Sequence, residues 1–375
     1  MSGVFGASHL FFGFGQSEFY NFELTNSLRF DDSSSAFLQR TLNGNRQTYS
    51  ISFWYKRSDL TSTTQRLYFE VGGSSRFRLI SNKIFRDTSS WYNIVLVVDI
   101  TNTTTADKLR MYVNGTRITG NATTGTGGGF NTETQPTNET YSAGLLNSNN
   151  LHEISGRDAA GDYLDGYLAE FNFIDGQALD ASSFGETKSG VWIPKDTSGL
   201  TFGTSGFRLE FKQTGTGTAS ALTIGADTSG NSNHFESTNL NAHDVMPDCP
   251  TNNFPTLNPQ IGKALTTHVD PRHGNLEVDT SVGGRGTTFS TMAMPTGNGQ
   301  KFYAEYRYRA DTGHMRVGII SVDQANQYLE TNNFDSPTTD NVSYTSVTGK
   351  IAVNGAQQEV VATYTAGDVI GMAVD

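Results

Sequence analysis

Cysteine is nearly absent: Cys249 stands alone among 375 residues. One thiol excludes an intrachain disulfide and every Cys-rich zinc pattern. Long apolar runs are missing too, with no stretch of about 18 such residues to span a bilayer as a helix. Basic charge is scarce, 26 Lys and Arg against 37 Asp and Glu for a net −11. No basic patch gathers it, which argues against phosphate-backbone binding. Nine prolines are too few for collagen or a Pro-rich linker. The opening SGVFGASHLFFGFG is apolar and Gly-rich but lacks the basic start and small-residue cleavage site of a signal peptide. It reads as a docking arm or first strand, with Phe5, Leu10, Phe11, Phe12 and Phe14 as the docking side chains.

What is present is Gly (40 residues), aromatics (11%) and abundant Thr, Ser and Asn, with only 35% hydrophobic and 17% charged residues. That mixture suits aromatic-cored strands joined by polar turns. The length suggests two or three domains.

Alternation begins at YSISFWY (49–55), where Tyr49, Ile51, Phe53 and Tyr55 share one face and Lys56-Arg57-Ser58-Asp59 closes the strand. RLYFEV (66–71) and RFRLI (76–80) flank Gly72-Gly73 as a hairpin, and WYNIVLVVDI (91–100) reads as a mid-sheet strand apolar almost throughout. In KLRMYVNGTRI (108–118), Leu109, Met111 and Val113 share a face, and Asn114-Gly115 supplies the two positive-φ residues of a type I′ turn. Residues 119–150 have few apolar anchors and read as a long surface loop or a weakly packed excursion. In YLDGYLAEFNFID (163–175), Leu168, Glu170, Asn172 and Ile174 alternate with Tyr167, Ala169, Phe171 and Phe173. DASSFGE (180–186) reads as one helical turn capped by Asp180, with Phe184 tucked beneath the sheet.

The fold class is therefore all-β, a jelly-roll β-sandwich followed by a second, incomplete β-sandwich. The domains are an arm (1–20), a first sandwich (21–186), an extended turn-rich connector (187–275) and a second sandwich (276–375). Pro247, Pro250, Pro255 and Pro259 interrupt the connector, which Trp192, Phe207, Phe211, Phe235 and Phe254 pin down. The last strand, DVIGMAVD, lacks sheet partners in the sequence, so we expect the native polypeptide to continue past Asp375 or another chain to complete the fold.

Three groups of segments carry a resemblance. YSISFWYKR, WYNIVLVVDI, LRMYVNGTRI and YLDGYLAEFNFIDGQAL resemble the concanavalin A-like laminin-G superfamily. KFYAEYRY, GHMRVGIIS and AGDVIGMAVD resemble the start of a SPRY domain, whose second half is missing. SFGETKSGVWIPKDTSG, GFRLEF, GADTSGNSNHF and DCPTNNFPTLNP, in that order, look like a module combination of marine bacteriophage structural proteins. The resemblance spans roughly 50–375. It implies a non-enzymatic virion component, a tail fibre or similar appendage serving assembly and host-surface attachment, with a glycan as a candidate receptor. A capsid decoration or head-fibre protein is the first alternative and a secreted carbohydrate-binding module the second. The implied partners are other virion proteins through the arm, further copies of the chain with a trimer favoured, and host glycan, without nucleic acid or membrane insertion.

The residues offer little catalytic chemistry. Glycosidic cleavage wants two carboxylates across a cleft, whereas Glu170 stands alone on its strand with Asp162, Asp165 and Asp175 at its turns, and these acids read as turn formers or solvated caps. Calcium needs six to eight oxygens. Asp158, Asp162 and Asp165 are its candidates, with Asp227, Asn231 and Asn233 behind them, and neither run has EF-hand spacing. HVDPRH (268–273) could hold a metal through His268, Asp270 and His273, although a hydrogen-bonded loop is the plainer reading. Cys249 has no basic neighbour to activate it, and GGRG (283–286) lacks the Lys-Ser/Thr of a phosphate loop. Tyr141, Tyr163 and Tyr167 are loop or rim aromatics that suit either a sugar face or a subunit interface. No catalytic residue and no cofactor is expected, structural calcium aside.

Overall fold

A computed structural model describes residues 19–58, 60, 66–71, 77–120, 128–136, 148–156, 163–260, 271–278, 287–295, 299, 301–309, 315–324 and 340–375. They fall into two units, Gln16–Asn253 and Phe254–Asp375. Among them no helix is long and apolar enough to cross a membrane.

The first unit contains β1 (Ser27–Phe30), β2 (Phe37–Asn43), β3 (Thr48–Arg57), β4 (Arg66–Val71), β5 (Phe77–Ile84), β6 (Tyr92–Asp99), β7 (Leu109–Val113) and β8 (Thr116–Arg117). It continues with β9 (Phe130–Thr134), β10 (Ser148–Ile154), β11 (Gly166–Asp175), β12 (Gly185–Lys188), β13 (Val191–Pro194), β14 (Phe207–Leu209), β15 (Glu236–Thr238) and β16 (Val245–Met246). The main sheet runs β16-β1-β11-β3-β6-β7-β8, and β14 joins β11 as well. Two three-stranded sheets, β10-β2-β15 and β4-β5-β9, supply the opposing strands. All the strand pairs are antiparallel, and the fold is an all-β sandwich.

The core follows from the alternation. Tyr49, Ile51, Ile94, Leu96, Val98, Leu109 and Met111 of the main sheet cluster with Leu38, Leu42, Phe69, Leu79 and Ile154 of the opposing strands. Rings bind it further: Phe53 stacks on Phe171, Phe171 on Phe207, Phe207 on Phe173 and Phe173 on Tyr49, with centroids 5.3–5.9 Å apart. Asn114 (φ 47) and Gly115 (φ 75) close the β7–β8 hairpin in the left-handed region, as the Asn-Gly pair predicts. The Asp180 side chain caps the 3₁₀ turn Ala181–Ser183 by accepting from Ser182 N–H, and Phe184 is buried.

Three expectations change. The main sheet has a third layer: parts of the segment read as connector are built into the sandwich rather than laid on its surface. Phe207, Phe211 and Phe235 belong to the main core, and β14 and β15 pair with β11 and β2. On the sheet's other face, Val95, Val97 and Ile174 pack under Ala181, Phe184 and Phe202. Trp54, Trp91, Tyr167 and Ala169 pack with Leu24 and Cys249. The serines of β3 are therefore buried, and Ser50 Oγ accepts from Leu179 N–H at 2.7 Å and donates to Gln177 O at 2.8 Å. Trp192 completes the cover by donating to Asn93 Oδ1 at 3.0 Å.

The second change lies in β11. Its register with β3 shifts between Ala169 and Asn172, and Glu170 takes φ 46. One extra residue reverses the alternation. Leu168 and Phe173, of opposite parity, therefore reach the same core, while Ile174 turns to the covering layer. Third, 119–150 is not one loop. β9 pairs with β5, and Phe130, 3% exposed, is the apolar anchor.

The second unit has the hairpin β17 (Pro271–Arg272) and β18 (Glu277–Val278). Next come β19 (Phe302–Arg307), β20 (Arg316–Ile320), β21 (Asn341–Thr345), β22 (Lys350–Val353), β23 (Ala356–Val360) and β24 (Val369–Val374). β19 pairs with β24, and β20-β21-β22-β23 form a four-stranded antiparallel sheet. Among the described residues its buried cluster is small: Tyr308, Val317, Tyr364 and Ile370. The Tyr364 hydroxyl donates to Met315 O at 2.7 Å.

Candidate functional site

The bulge in β11 positions the strongest polar centre. β1 pairs with its first half (Gly166–Leu168) and β14 with its second (Phe171–Phe173), so Glu170 stands where one neighbour leaves and the other joins. Glu170 Oε1 accepts from Arg208 Nε and from Thr197 Oγ1, both at 2.6 Å. Arg208 also faces Glu210 at 3.4 Å, and Lys212 caps Glu210 at 2.6 Å. The Glu170 and Arg208 side chains are 4% and 6% exposed. Burial pushes the Glu170 carboxyl above its ordinary range; the Arg208 charge and the Thr197 hydroxyl pull it back without cancelling the shift. Glu170 is thus neither a turn former nor a solvated cap. It is the buried counter-charge of Arg208, committed to β14 rather than to a bound molecule.

A second centre lies under the main sheet's covering layer. Lys56 Nζ donates to Asp248 Oδ2 and Asn253 Oδ1, both at 2.9 Å. Trp91 Nε1 donates to the other Asp248 oxygen at 3.2 Å. Lys56 is fully buried, and desolvation holds its ammonium below the usual lysine value against the pull of Asp248. Nearby, Cys249 is buried; desolvation raises its thiol pKa, the opposite of an activated nucleophile. A third pair, Arg29 with Asp244 at 2.6 Å, ties β1 to the turn before β16.

The aromatic candidates separate. Tyr167 is 1% exposed and packs edge-on against Trp91, so it offers no face to a sugar or a subunit. The bulge and the covering layer account for this, because Tyr167 shares the phase of Ala169 beneath the added layer. Tyr163 is half-buried, and its ring stacks on Phe37 with centroids 6.1 Å apart and planes at 24°. Gly156 permits that stack, since a Cβ there would stand 3.0 Å from Phe37 Cβ. Alongside, Leu151 is 56% exposed and Gln39 Nε2 donates to Glu236 Oε2 at 3.4 Å, giving β10-β2-β15 a mixed outer face. Tyr141 and the arm residues Phe5, Leu10, Phe11, Phe12 and Phe14 lie outside the described residues.

For calcium, Asp158 and Asp162 also lie outside the described residues, while Asp165 Oδ1 accepts from Ser58 Oγ at 2.5 Å. The second run is closed by its own donors. Asp227 accepts from the backbone N–H groups of Arg208, Ser229 and Asn233, and the Asn231 and Asn233 amides donate to Gly206 O. Among the described residues, no group of three His, Cys, Asp or Glu could hold a metal. His268 and Asp270 are outside those residues.

Sequence reasoning missed Lys56, Asp248 and Arg208. A signal existed for Lys56: it shares the phase of Ser52 and Trp54, so a lysine on that face is buried once the face is covered. Nothing local announced the cover.

No family model matches the chain. No curated protein matches it either. Among solved structures it is similar to a candidate carbohydrate-binding protein from Bacteroides ovatus ATCC 8483, at 14% identity and a TM-score of 0.34. The match covers 58% of this chain and 58% of that one, so the chain spans less than two thirds of that neighbour. A likeness this distant carries no argument about the site.

Proposed function

We propose that the chain is a non-enzymatic structural protein of a bacteriophage particle, a tail-fibre or similar appendage component that supports assembly and attachment to a host-surface glycan. The observation that carries this reading is the closure of the main sheet on both faces, with Glu170 committed to Arg208 and Lys56 to Asp248. A sandwich built this way is a stiff scaffold, and contact chemistry falls to its edges and loops. The half-buried Tyr163–Phe37 stack beside the Gln39–Glu236 pair is the edge we assign to glycan contact. Its rings would lie against a sugar face while the polar pair meets hydroxyls. The ordered motifs of 183–259 supply the virion context.

The test is a cryo-EM map of purified particles that locates the chain. Trimeric density in a tail appendage supports the reading. Copies spread over the capsid lattice overturn it in favour of a decoration protein. Absence from the particle, with retained glycan binding by the isolated chain, leaves the secreted carbohydrate-binding module. That same edge would serve the last alternative too, and Tyr163→Ala tests the edge under either reading, abolishing glycan-array binding while the circular dichroism spectrum stays unchanged.

A further inference from the structure

We propose that Lys56 and Asn253 become joined by an intramolecular isopeptide bond, formed without an external enzyme, with Asp248 carrying the proton. The three side chains converge on one amine: Lys56 Nζ lies 2.9 Å from Asn253 Oδ1 and 2.9 Å from Asp248 Oδ2. Each partner is held from behind. Asn253 Nδ2 donates to Ser89 O at 2.7 Å, fixing the plane of the amide, and Trp91 Nε1 fixes the carboxylate at 3.2 Å. Trp91 belongs with Trp54, Tyr167 and Cys249 to the buried apolar cluster on this face of the sheet, and the Asp87 carboxylate also acts on Lys56.

The chemistry follows from that setting. An amine attacks a carbonyl carbon only when neutral, and a buried ammonium–carboxylate pair is driven toward its neutral form by loss of solvation. Lys56 shows the required direction, its proton affinity lowered by burial. Asp248 takes the proton from Nζ; the Nζ lone pair adds to Asn253 Cγ and the Cγ–Nδ2 bond breaks. The proton held by Asp248 passes to Nδ2, which leaves as ammonia, and the freed Asp248 carboxylate takes a second proton from Nζ, so the new amide nitrogen keeps one. One C–N bond replaces another, one ammonia is released, and no oxidant or cofactor is consumed. Fixed proximity supplies the rate, since well-oriented intramolecular reactions reach effective molarities of about 10⁵ M and above. Asn253 is exposed, which gives the ammonia a way out. The bond would tie residues 197 positions apart, fastening the end of the sandwich unit to β3 near the middle of its main sheet.

The experiment is intact-mass spectrometry of the purified full chain, followed by tandem sequencing of a protease digest. The expected result is a mass lower than the sequence mass by one ammonia, and a branched peptide joining Lys56 to Asn253. Asn253→Ala, at an exposed position, should keep the fold and restore the sequence mass of that variant. Asp248→Asn, checked as folded by circular dichroism, should leave both reacting residues present and unjoined. A folded wild-type chain at full sequence mass, cleaved by trypsin after Lys56 into linear peptides, overturns the proposal. So does an ammonia loss that maps to Asn43, Asn114, Asn298 or Asn354, each followed by Gly, where ordinary cyclisation gives the same mass change.

Discussion

Single residues inside the sandwich carry opposite electrostatic signs of design. Arg208 offsets part of what burial costs the Glu170 charge and Glu170 more than offsets it for Arg208, so removing one partner strands the other. Arg208→Met should destabilise the chain by about 3–5 kcal/mol in urea unfolding. The double variant with Glu170→Met should lose less than the sum of the two single variants. Additivity would mean that the pair is not coupled. The pH dependence has a definite sign. The folded Glu170 carboxyl binds its proton more tightly than the usual value of 4.5. Its contribution is therefore present at low pH and lost as pH rises through the folded value. The advantage of wild type over Glu170→Gln should shrink between acidic and neutral pH; an advantage that grows would reverse the assignment. Tyr49 is the contrasting case. Its hydroxyl is fully buried and finds no protein partner among the described residues. Tyr49→Phe keeps the ring that stacks on Phe173 and discards an unpaired polar group. It should stabilise by about 1 kcal/mol in the same assay.

Strands and turns show where local pattern suffices and where it fails. The β7–β8 hairpin was legible because turn chemistry is local: Asn114-Gly115 needs only its own two dihedrals, and Leu109, Met111 and Val113 are buried as their spacing requires. The burial of β6 followed from its composition for the same reason. β11 was half legible. Its apolar residues were plain, but the bulge at Glu170 depends on β1 and β14 sharing one edge, and β14 lies more than thirty residues downstream. The covering layer was illegible for a related reason: Trp192 finds its place between Gly115 and Gly185, and Gly115 lies more than seventy residues upstream, outside any window around Trp192. Of the proposed contact residues, Tyr163 sits at an edge and Tyr167 does not, because edge and interior are settled by that same layer. Gly115→Ala tests this packing. Its Cβ would enter at 2.4 Å from the Trp192 ring, on a residue with φ 75. Left-handed strain and overpacking together should destabilise by about 2–5 kcal/mol in thermal or urea unfolding. Gly190→Ala, with φ 80 and open space around its Cβ, carries only the backbone part of about 1–2 kcal/mol. Equal losses at the two sites would remove Trp192 from the account.

The molecule as a whole joins two units of unequal depth. In the first, β3, β6 and β11 are interior strands of the main sheet, with side chains buried on both faces, and opening them exposes the main core and the covering clusters together. In the second, the buried cluster among the described residues comprises four side chains, and every residue of β23 is exposed. Local opening free energy tracks the apolar surface that must be exposed and the solvent access of the backbone hydrogen bonds. Hydrogen exchange read by mass spectrometry should therefore rank the chain. Amides of β3, β6 and β11 should hold protons longest, those of β19 and β24 exchange earlier, and those of β23 earliest. An isopeptide bond between Lys56 and Asn253 would sharpen the contrast, because it fastens the residue that ends the first unit to its slowest strand. Asn253→Ala should then speed exchange in Asp248–Asn253 and leave β19 to β24 unchanged. Uniform exchange across both units would mean that the small cluster is as cooperative as the three-layer sandwich, and the division of labour between a stiff scaffold and a softer second unit would fall with it.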